Sequence, residues 1–151
     1  MVYTKAMFDS VFSNYPLISA LVAMLLAQIL KLFYYLRKEK KINFRYLVQA
    51  GGMPSSHSAM VISLATAIGL QEGWGSSFFA IAVIFASIVL YDAAGVRRAA
   101  GKQAKILNVI MTDLFDYGKF HGEKLKEFLG HTPMEVIAGI VLGMIVAFVL
   151  Y

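Results

Sequence analysis

Long apolar stretches alternate with shorter polar segments along this chain. The apolar stretches lie near residues 16–36, 54–70, 77–93 and 133–151. A helix needs about 20 apolar residues to cross the hydrocarbon core of a bilayer, and about 17 can be sufficient. The pattern therefore predicts an all-α integral membrane helical bundle of about four transmembrane helices, in a single domain over 1–151. The second stretch is the weakest, because it opens with the polar run 55–58.

The segment 94–132, between the third and fourth stretches, has a different pattern. Apolar residues recur in it at helical spacing: Ile106, Leu107, Ile110, Met111, Leu114 and Phe115. Polar residues of the same segment fall on the other side of the helix: Asn108, Thr112, Asp113 and Asp116. This arrangement predicts one amphipathic helix, lying at the membrane interface or against the bundle.

The composition is typical of a membrane protein. Hydrophobic residues make up 59% of the chain and charged residues 15%, whereas a soluble domain contains about half and about a quarter of these classes. Cysteine is absent, which excludes disulfide bonds and thiolate metal sites.

The positive charges concentrate in two loops. Of the fourteen Lys and Arg residues, five lie in 37–53 and seven in 94–132. The positive-inside rule predicts that both loops face the cytoplasm and that both chain ends lie outside. Membrane topology and contact with lipid head groups explain most of these charges. Nucleic acid binding would need a basic face exposed to water, which this pattern does not indicate. The expected location is the cell membrane, with several passes.

The first of three polar islands leads into the second apolar stretch with the sequence Gly-Gly-Met-Pro-Ser-Ser-His-Ser at 51–58. With Pro54 at the first helical position, the N–H groups of Ser55, Ser56 and His57 would face the loop side, beside two hydroxyls and an imidazole. A helix N-terminus equipped in this way is suited to a phosphate. The structural alternative is a serine cap, which explains one serine better than it explains three serines and a histidine.

The second island closes the third stretch with Asp92, Arg97, Arg98 and Lys102. A carboxylate at the membrane boundary is costly unless it is paired or solvated, so we expect Asp92 to pair with an arginine. The simpler explanation of Asp92 is a structural clamp of this kind. Guanidinium groups also match phosphate oxygens, and at least one of the two arginines is expected to contact an anion.

The third island, 130–135, opens the last stretch. Thr132 and Glu135 fit a capping box, which gives Glu135 a purely structural explanation. In the functional alternative, Glu135 bonds one ring nitrogen of His131. That bond would fix the tautomer of the imidazole and leave its other nitrogen free to attack a substrate.

Four strings of the sequence resemble the divergent PAP2 family, a bacterial and plant group related to the type 2 phosphatidic acid phosphatases and the vanadium haloperoxidases. They are Gly-Gly-Met-Pro-Ser-Ser-His-Ser-Ala at 51–59, Tyr-Asp-Ala-Ala-Gly-Val-Arg-Arg at 91–98, Gly-Lys-Gln-Ala at 101–104 and Leu-Gly-His-Thr-Pro-Met-Glu-Val at 129–136. The similarity extends over nearly the whole chain.

The resemblance implies a phosphohistidine mechanism. In the wider superfamily, a Pro-Ser-Gly-His motif holds phosphate through its serine and the following amide, and its histidine is the general acid. These roles fall here on Ser55, Ser56 and His57. A His-x-x-x-Asp pair supplies the nucleophile and the carboxylate that orients it, and these roles fall on His131 and Glu135.

The chain also departs from the superfamily pattern. Ser56 stands where the superfamily has glycine, and Glu135 stands where it has aspartate. Leu125 occupies the position of an arginine expected six residues before the nucleophile. Arg97 or Arg98 would therefore have to supply that charge from elsewhere.

Lys31 and Arg37 faintly resemble the first Lys-Arg motif of the superfamily, with a spacing one residue short and no proline. On that basis Lys31 joins Asp92 and Lys102 among the candidate substrate-binding residues. Four spans are fewer than the usual six of the membrane enzymes, so a homodimer is one way to complete the bundle.

The sequence thus predicts a phosphatase of phosphorylated lipids, either phosphomonoesters or diphosphates, that works at the cytoplasmic face. Two histidines and several cations suffice for this chemistry, so no metal or other cofactor is expected. One alternative is a catalytically inactive phospholipid-binding or scaffold protein, which the missing arginine favours. Another is a Mg²⁺-dependent phosphatase using Asp92, Asp113 and Asp116, although their spacing does not make a tight ligand set.

Overall fold

The structure, a computed structural model, describes residues 11–40, 52–115, 125 and 130–151. Every regular element in these ranges is helical. The elements are α1 (Tyr15–Glu39), α2 (Ser56–Glu72), α3 (Ser77–Tyr91), a π-helical turn (Asp92–Val96), α4 (Arg97–Phe115) and α5 (Pro133–Leu150). The predicted all-α membrane bundle is therefore confirmed in its class.

Small residues fill the inside of the bundle, and large apolar residues cover its outside. All but three of the buried apolar side chains in the described residues are alanines. The exposed set includes Leu25, Phe33, Ile84, Ile88 and Phe148. Helices in a bilayer associate through small residues that allow close approach, because lipid tails solvate large apolar side chains as well as a protein core does. The distribution is that of a bundle surrounded by lipid.

Helix α2 is the centre of the bundle, because it packs against α1, α3 and α5. Its contact with α5 is close: a Cβ atom at Gly139 would lie 2.5 Å from the carbonyl oxygen of Ser55, and one at Gly143 would overlap the carbonyl oxygen of Ala59. This pairing also shows that α2 and α5 run parallel. Both helices therefore begin at the same end of the bundle.

Helix α1 runs antiparallel to α2 and α5. The Ser19 and Ser63 hydroxyls bond to each other at 2.7 Å, and the Tyr15 hydroxyl donates to the Ala147 carbonyl. A buried hydroxyl without a partner is costly in an apolar interior, so these bonds also set the register of the helices.

Within the part of the chain that the structure describes, three helical segments are long and apolar enough to cross a membrane: Tyr15–Arg37, Ser77–Thr112 and Pro133–Leu150. Helix α2 has 17 residues, which is about the lower limit for a span. It is shorter than the three segments named above, which agrees with the sequence prediction that the second span is the weakest of four.

Two details of the sequence prediction need correction. The third span and the amphipathic helix are not separated by a loop, because the π-helical turn joins α3 to α4 in one continuous helical rod. Pro54 is not the first helical residue either. The Ser55 hydroxyl accepts the N–H of Ser58 as the N-cap, which places the start of α2 at Ser56.

Candidate functional site

A cavity of about 280 Å³ opens at the end of the bundle where α2 and α5 begin and α3 ends. Its polar lining comes from three separate polar islands of the sequence, whereas its wall along α3 is apolar. The lining residues are His57, Ile88, Val89, Asp92, Ala93, Arg97, Gly130 and His131. Residues that are far apart in the chain are thus brought together at one point.

His131 and Glu135 form the predicted pair. The Nδ1 atom of the imidazole lies 3.1 Å from Oε2 of Glu135, and the His131 residue is only 5% exposed. The same Oε2 accepts the N–H of Thr132 at 3.0 Å, which completes the capping box at the start of α5. One carboxylate therefore caps the helix and holds the imidazole. The capping box is confirmed, and the hydrogen bond that the functional alternative requires is present beside it.

The backbone of His131 is held by the π-helical turn. Its N–H donates to the carbonyl of Ala93 at 3.0 Å. In this turn, the N–H of Arg97 bonds to the carbonyl of Asp92, five residues back. In an α-helix, each N–H bonds to the carbonyl four residues back, so a turn with five-residue spacing leaves one carbonyl without its regular partner. Such turns are common at functional sites. The carbonyl of Ala93 is used in this way.

Gly130 allows the close approach of this segment. It has a φ of +91°, and a Cβ atom there would overlap the backbone of Arg98. A side chain at this position would therefore be strained by the backbone conformation and excluded by its neighbour. The segment before α5 can therefore pack against the backbone of the π-helical turn and α4 only with glycine at position 130. The sequence alone did not reveal this requirement.

Burial lowers the pKa of His131 below its usual value of 6.5. The hydrogen bond and the negative charge of Glu135 act in the opposite direction, whereas the positive charges of Lys31 and Arg97 lower the pKa further. The imidazole of His131 is therefore neutral at pH 7. A neutral ring whose Nδ1 is bonded to Glu135 has Nε2 available as a nucleophile.

Asp92 and Arg97 form the ion pair that the sequence predicted for one of the two arginines. Nε of Arg97 donates to Oδ2 of Asp92 at 2.5 Å. In an uninterrupted α-helix, residues five apart are about 140° apart around the axis, and the extra residue of the π-helical turn brings the two side chains together. Arg97 consequently lines the cavity.

Arg98 and Lys102 are placed differently. Both are exposed on α4 and neither lines the cavity. Adjacent helical residues point about 100° apart, so Arg98 is turned away when Arg97 faces the cavity. Their predicted contact with substrate is not supported by their position.

Ser55 and Ser56 are occupied inside the bundle. The N–H of Ser55 donates to the carbonyl of Glu135 at 3.0 Å, and its hydroxyl accepts from the Ser58 hydroxyl at 2.9 Å. The Ser56 hydroxyl accepts from the Gln28 amide at 3.3 Å. Of the first island, the cavity receives His57, and the two serines connect α2 to its neighbours.

Lys31 is almost completely buried, with 2% of its surface exposed. It is close enough to Glu135, His57 and His131 to act electrostatically on all three. A buried ammonium group is costly unless negative charge compensates it. Lys31 therefore adds positive charge on the α1 side of the site, although it does not line the cavity itself.

Asn108 was not identified as a site residue from the sequence. Its side chain bonds both backbone groups of Leu125, with Nδ2 donating to the carbonyl at 2.9 Å and Oδ1 accepting the N–H at 3.0 Å. A buried amide in an otherwise amphipathic helix was the available signal. The side chain of Asp113, and Asp116 altogether, lie outside the described residues.

Comparisons with known proteins identify the family of the chain. The model of the divergent PAP2 family matches residues 12–146, which include all the cavity-lining residues. The chain is 40% identical to the Uncharacterized membrane protein YuiD of Bacillus subtilis (strain 168), over 91% of this chain and 94% of that protein. No solved structure gives a significant match. This chain is a membrane protein that belongs to the divergent PAP2 family.

Proposed function

We propose that the protein is a lipid-phosphate phosphatase that works through a phosphohistidine at His131. The observation that carries the proposal is the arrangement around one cavity: a buried His131–Glu135 pair, a second histidine at His57 and the guanidinium group of Arg97. The wider superfamily uses a histidine–carboxylate pair, a second histidine and cationic side chains for this chemistry, and His131 with Glu135, His57 and Arg97 would take those roles here.

The reaction has two steps. Nε2 of His131 attacks phosphorus and the bond to the leaving oxygen breaks. The protonated form of His57 donates a proton to that oxygen, and burial and the charge of Arg97, which lower the pKa of His57 below 6.5, make it a stronger acid. Water then attacks the phosphorus of the phosphohistidine while His57 takes a proton from the water. The bond between Nε2 of His131 and phosphorus breaks, which releases inorganic phosphate and restores the neutral imidazole. Glu135 keeps the imidazole of His131 oriented and stabilises the positive charge it acquires, as the carboxylate does in a catalytic triad.

Arg97 and Lys31 stabilise the negative charge of the phosphoryl group during both steps. Electrostatic stabilisation is usually the largest contribution in such reactions. Arg97 takes over the charge of the arginine that Leu125 replaces, and its ion pair with Asp92 holds the guanidinium group in place.

A lipid is the substrate class that fits the cavity. Ile88 and Val89 form an apolar wall beside the polar residues, and Ile88 is 63% exposed on the outer face of α3. A phosphate can therefore contact His57 and Arg97 while the hydrocarbon part of the same molecule lies along α3 in the bilayer. The proposal places the cavity at the cytoplasmic face, because the basic loops begin at this end.

The direct test is phosphate release by the purified protein in detergent, from phosphatidic acid, phosphatidylglycerophosphate and a polyprenyl diphosphate, with and without EDTA. Release from at least one lipid that persists in EDTA is expected, with loss of release in His131→Ala. If the folded wild type binds these lipids but releases no phosphate, the protein is a lipid-binding member of the family. Release that EDTA abolishes would point to a metal-dependent reaction instead. The particle mass measured on the same sample tests the predicted homodimer.

A further inference from the structure

The contact between Asn108 and Leu125 has the geometry of a clamp. Asn108 is 8% exposed, and both halves of its amide are bonded to the backbone of Leu125, at 2.9 and 3.0 Å. Asparagine is a poor residue for the interior of a helix. Its presence in α4 is explained by these bonds, because its side-chain amide pairs with both the N–H and the C=O of Leu125.

Two further contacts join the same helical rod to the chain just before α5. The N–H of His131 bonds to Ala93, and Gly130 packs on the backbone of Arg98. Leu125 precedes His131 by six residues. The rod formed by the π-helical turn and α4 therefore holds the chain at Leu125 and again at Gly130 and His131.

We propose that Asn108 is a positioning residue for His131. By fixing Leu125 on α4, it holds a point six residues before His131 on the same helical rod that carries the docking contacts of Gly130 and His131. The inference concerns the nucleophile of the proposed function and so rests on it, but the placement of His131 can be measured without turnover.

Loss of the clamp has a predictable consequence at the imidazole. Without it, the two backbone groups of Leu125 lose the hydrogen bonds that hold them on α4. Of the contacts that the described residues make between the chain before α5 and the rod, those of Gly130 and His131 then remain. His131 becomes more exposed, and the burial that lowers its pKa diminishes. The charged groups around it come from every packed element: Lys31 from α1, His57 from α2, Arg97 from α4 and Glu135 from α5.

The test is an NMR titration of the histidine side chains in the purified, detergent-solubilised full chain. The protein has three histidines, so each can be assigned by substitution. In Asn108→Leu, which keeps the shape but cannot bond, the titration midpoint of His131 should move up toward the ordinary value of 6.5. Thr112→Val is the matched control. This change removes a hydroxyl that donates to the carbonyl of Asn108 at 2.9 Å and leaves the Asn108 side chain in place. The titration midpoint of His131 in Thr112→Val should equal that of the wild type.

Asn108→Asp provides a second variant if Asn108→Leu does not fold. It keeps an acceptor for the N–H of Leu125 but loses the donor to its carbonyl, so a smaller shift in the same direction is expected. An unchanged His131 midpoint in a folded Asn108 variant overturns the inference. Where phosphate release is measurable, the variant should lose kcat, by up to about 100-fold for a displacement near 1 Å, with little change in KM. A wild type that titrates as expected but releases no phosphate defeats the proposed function and leaves this inference intact.

Discussion

At the scale of single residues, the site depends on one carboxylate with two partners. Oε2 of Glu135 accepts from the backbone of Thr132 and bonds Nδ1 of His131. The helix cap and the His131–Glu135 pair therefore share an atom, and the start of α5 fixes the direction of the imidazole. A carboxylate that is already held by the cap needs little reorganisation when His131 becomes positively charged during attack.

The pH dependence of the reaction follows from the burial of His131. Its pKa is below 6.5, so the neutral, nucleophilic form persists at pH values at which an exposed histidine is already protonated. The acid limb of kcat/KM for phosphate release should therefore have an apparent pKa below 6.5. Because the folded pKa lies below the unfolded one, the stability that His131 contributes is present above about pH 6.5 and is lost as the pH falls through the folded pKa.

Lys31→Met supplies the control for this profile. It removes a positive charge that lowers the pKa of His131, so the acid limb of kcat/KM should move to higher pH. An acid limb that lies above 6.5 in the wild type, or that is insensitive to Lys31, would mean that another group limits the rate.

At the scale of helices and turns, the π-helical turn decides which arginine serves the site. Its extra residue changes the phase of α4 relative to α3, so Arg97 meets Asp92 at the cavity and Arg98 points away. The sequence shows two adjacent arginines but not the phase of the helix that carries them. The turn also supplies the carbonyl of Ala93 for His131.

Arg97 and Arg98 should differ in anion binding for this reason. Vanadate resembles phosphate and its transition state, and it should protect the wild type against thermal unfolding, by about 2.7 kcal/mol at one hundred times its Kd. Arg97→Ala should remove most of this protection, whereas the matched variant Arg98→Ala should retain it. Thermal unfolding with increasing vanadate measures both. Equal losses in the two variants would contradict the assignment of Arg97 to the cavity.

The parallel contact between α2 and α5 places His57 and the His131–Glu135 pair side by side. Gly139→Ala adds a Cβ atom 2.5 Å from the carbonyl of Ser55, so the two helices must move apart. We expect a net loss of about 1–3 kcal/mol, although alanine by itself favours a helix. Gly75→Ala is the matched control, since nothing lies within 4 Å of its new Cβ. A melting temperature for Gly139→Ala equal to that of the control would show that the contact is loose.

At the scale of the whole molecule, the orientation in the membrane determines which face the cavity opens on. The helices that form the cavity begin or end beside the basic segments 37–53 and 94–132, which the positive-inside rule assigns to the cytoplasm. The chain contains no cysteine, so Lys40→Cys creates a unique labelling site. An impermeant thiol reagent should label it only after cells are permeabilised. Labelling in intact cells would place the cavity on the outer face.

Much of this molecule could be predicted from its sequence, where a local rule was sufficient. The apolar stretches predicted the helices, and Thr132, Pro133 and Glu135 predicted the start of α5. Ser55 was misjudged, because capping and packing against Glu135 compete with anion binding for the same groups. The π-helical turn at Asp92–Val96 and the Asn108 clamp depend on contacts between distant segments. No periodicity in the sequence encodes such contacts.

The central claim is that His131 carries the phosphoryl group during turnover. The most direct measurement is mass spectrometry of the purified protein after rapid quenching during turnover of phosphatidic acid or of whichever lipid phosphate it hydrolyses. The account predicts a phosphohistidine at His131 in the wild type and none in His131→Ala, which should also release no phosphate. Turnover with no phosphoryl group on His131, together with full activity of His131→Ala, would contradict it.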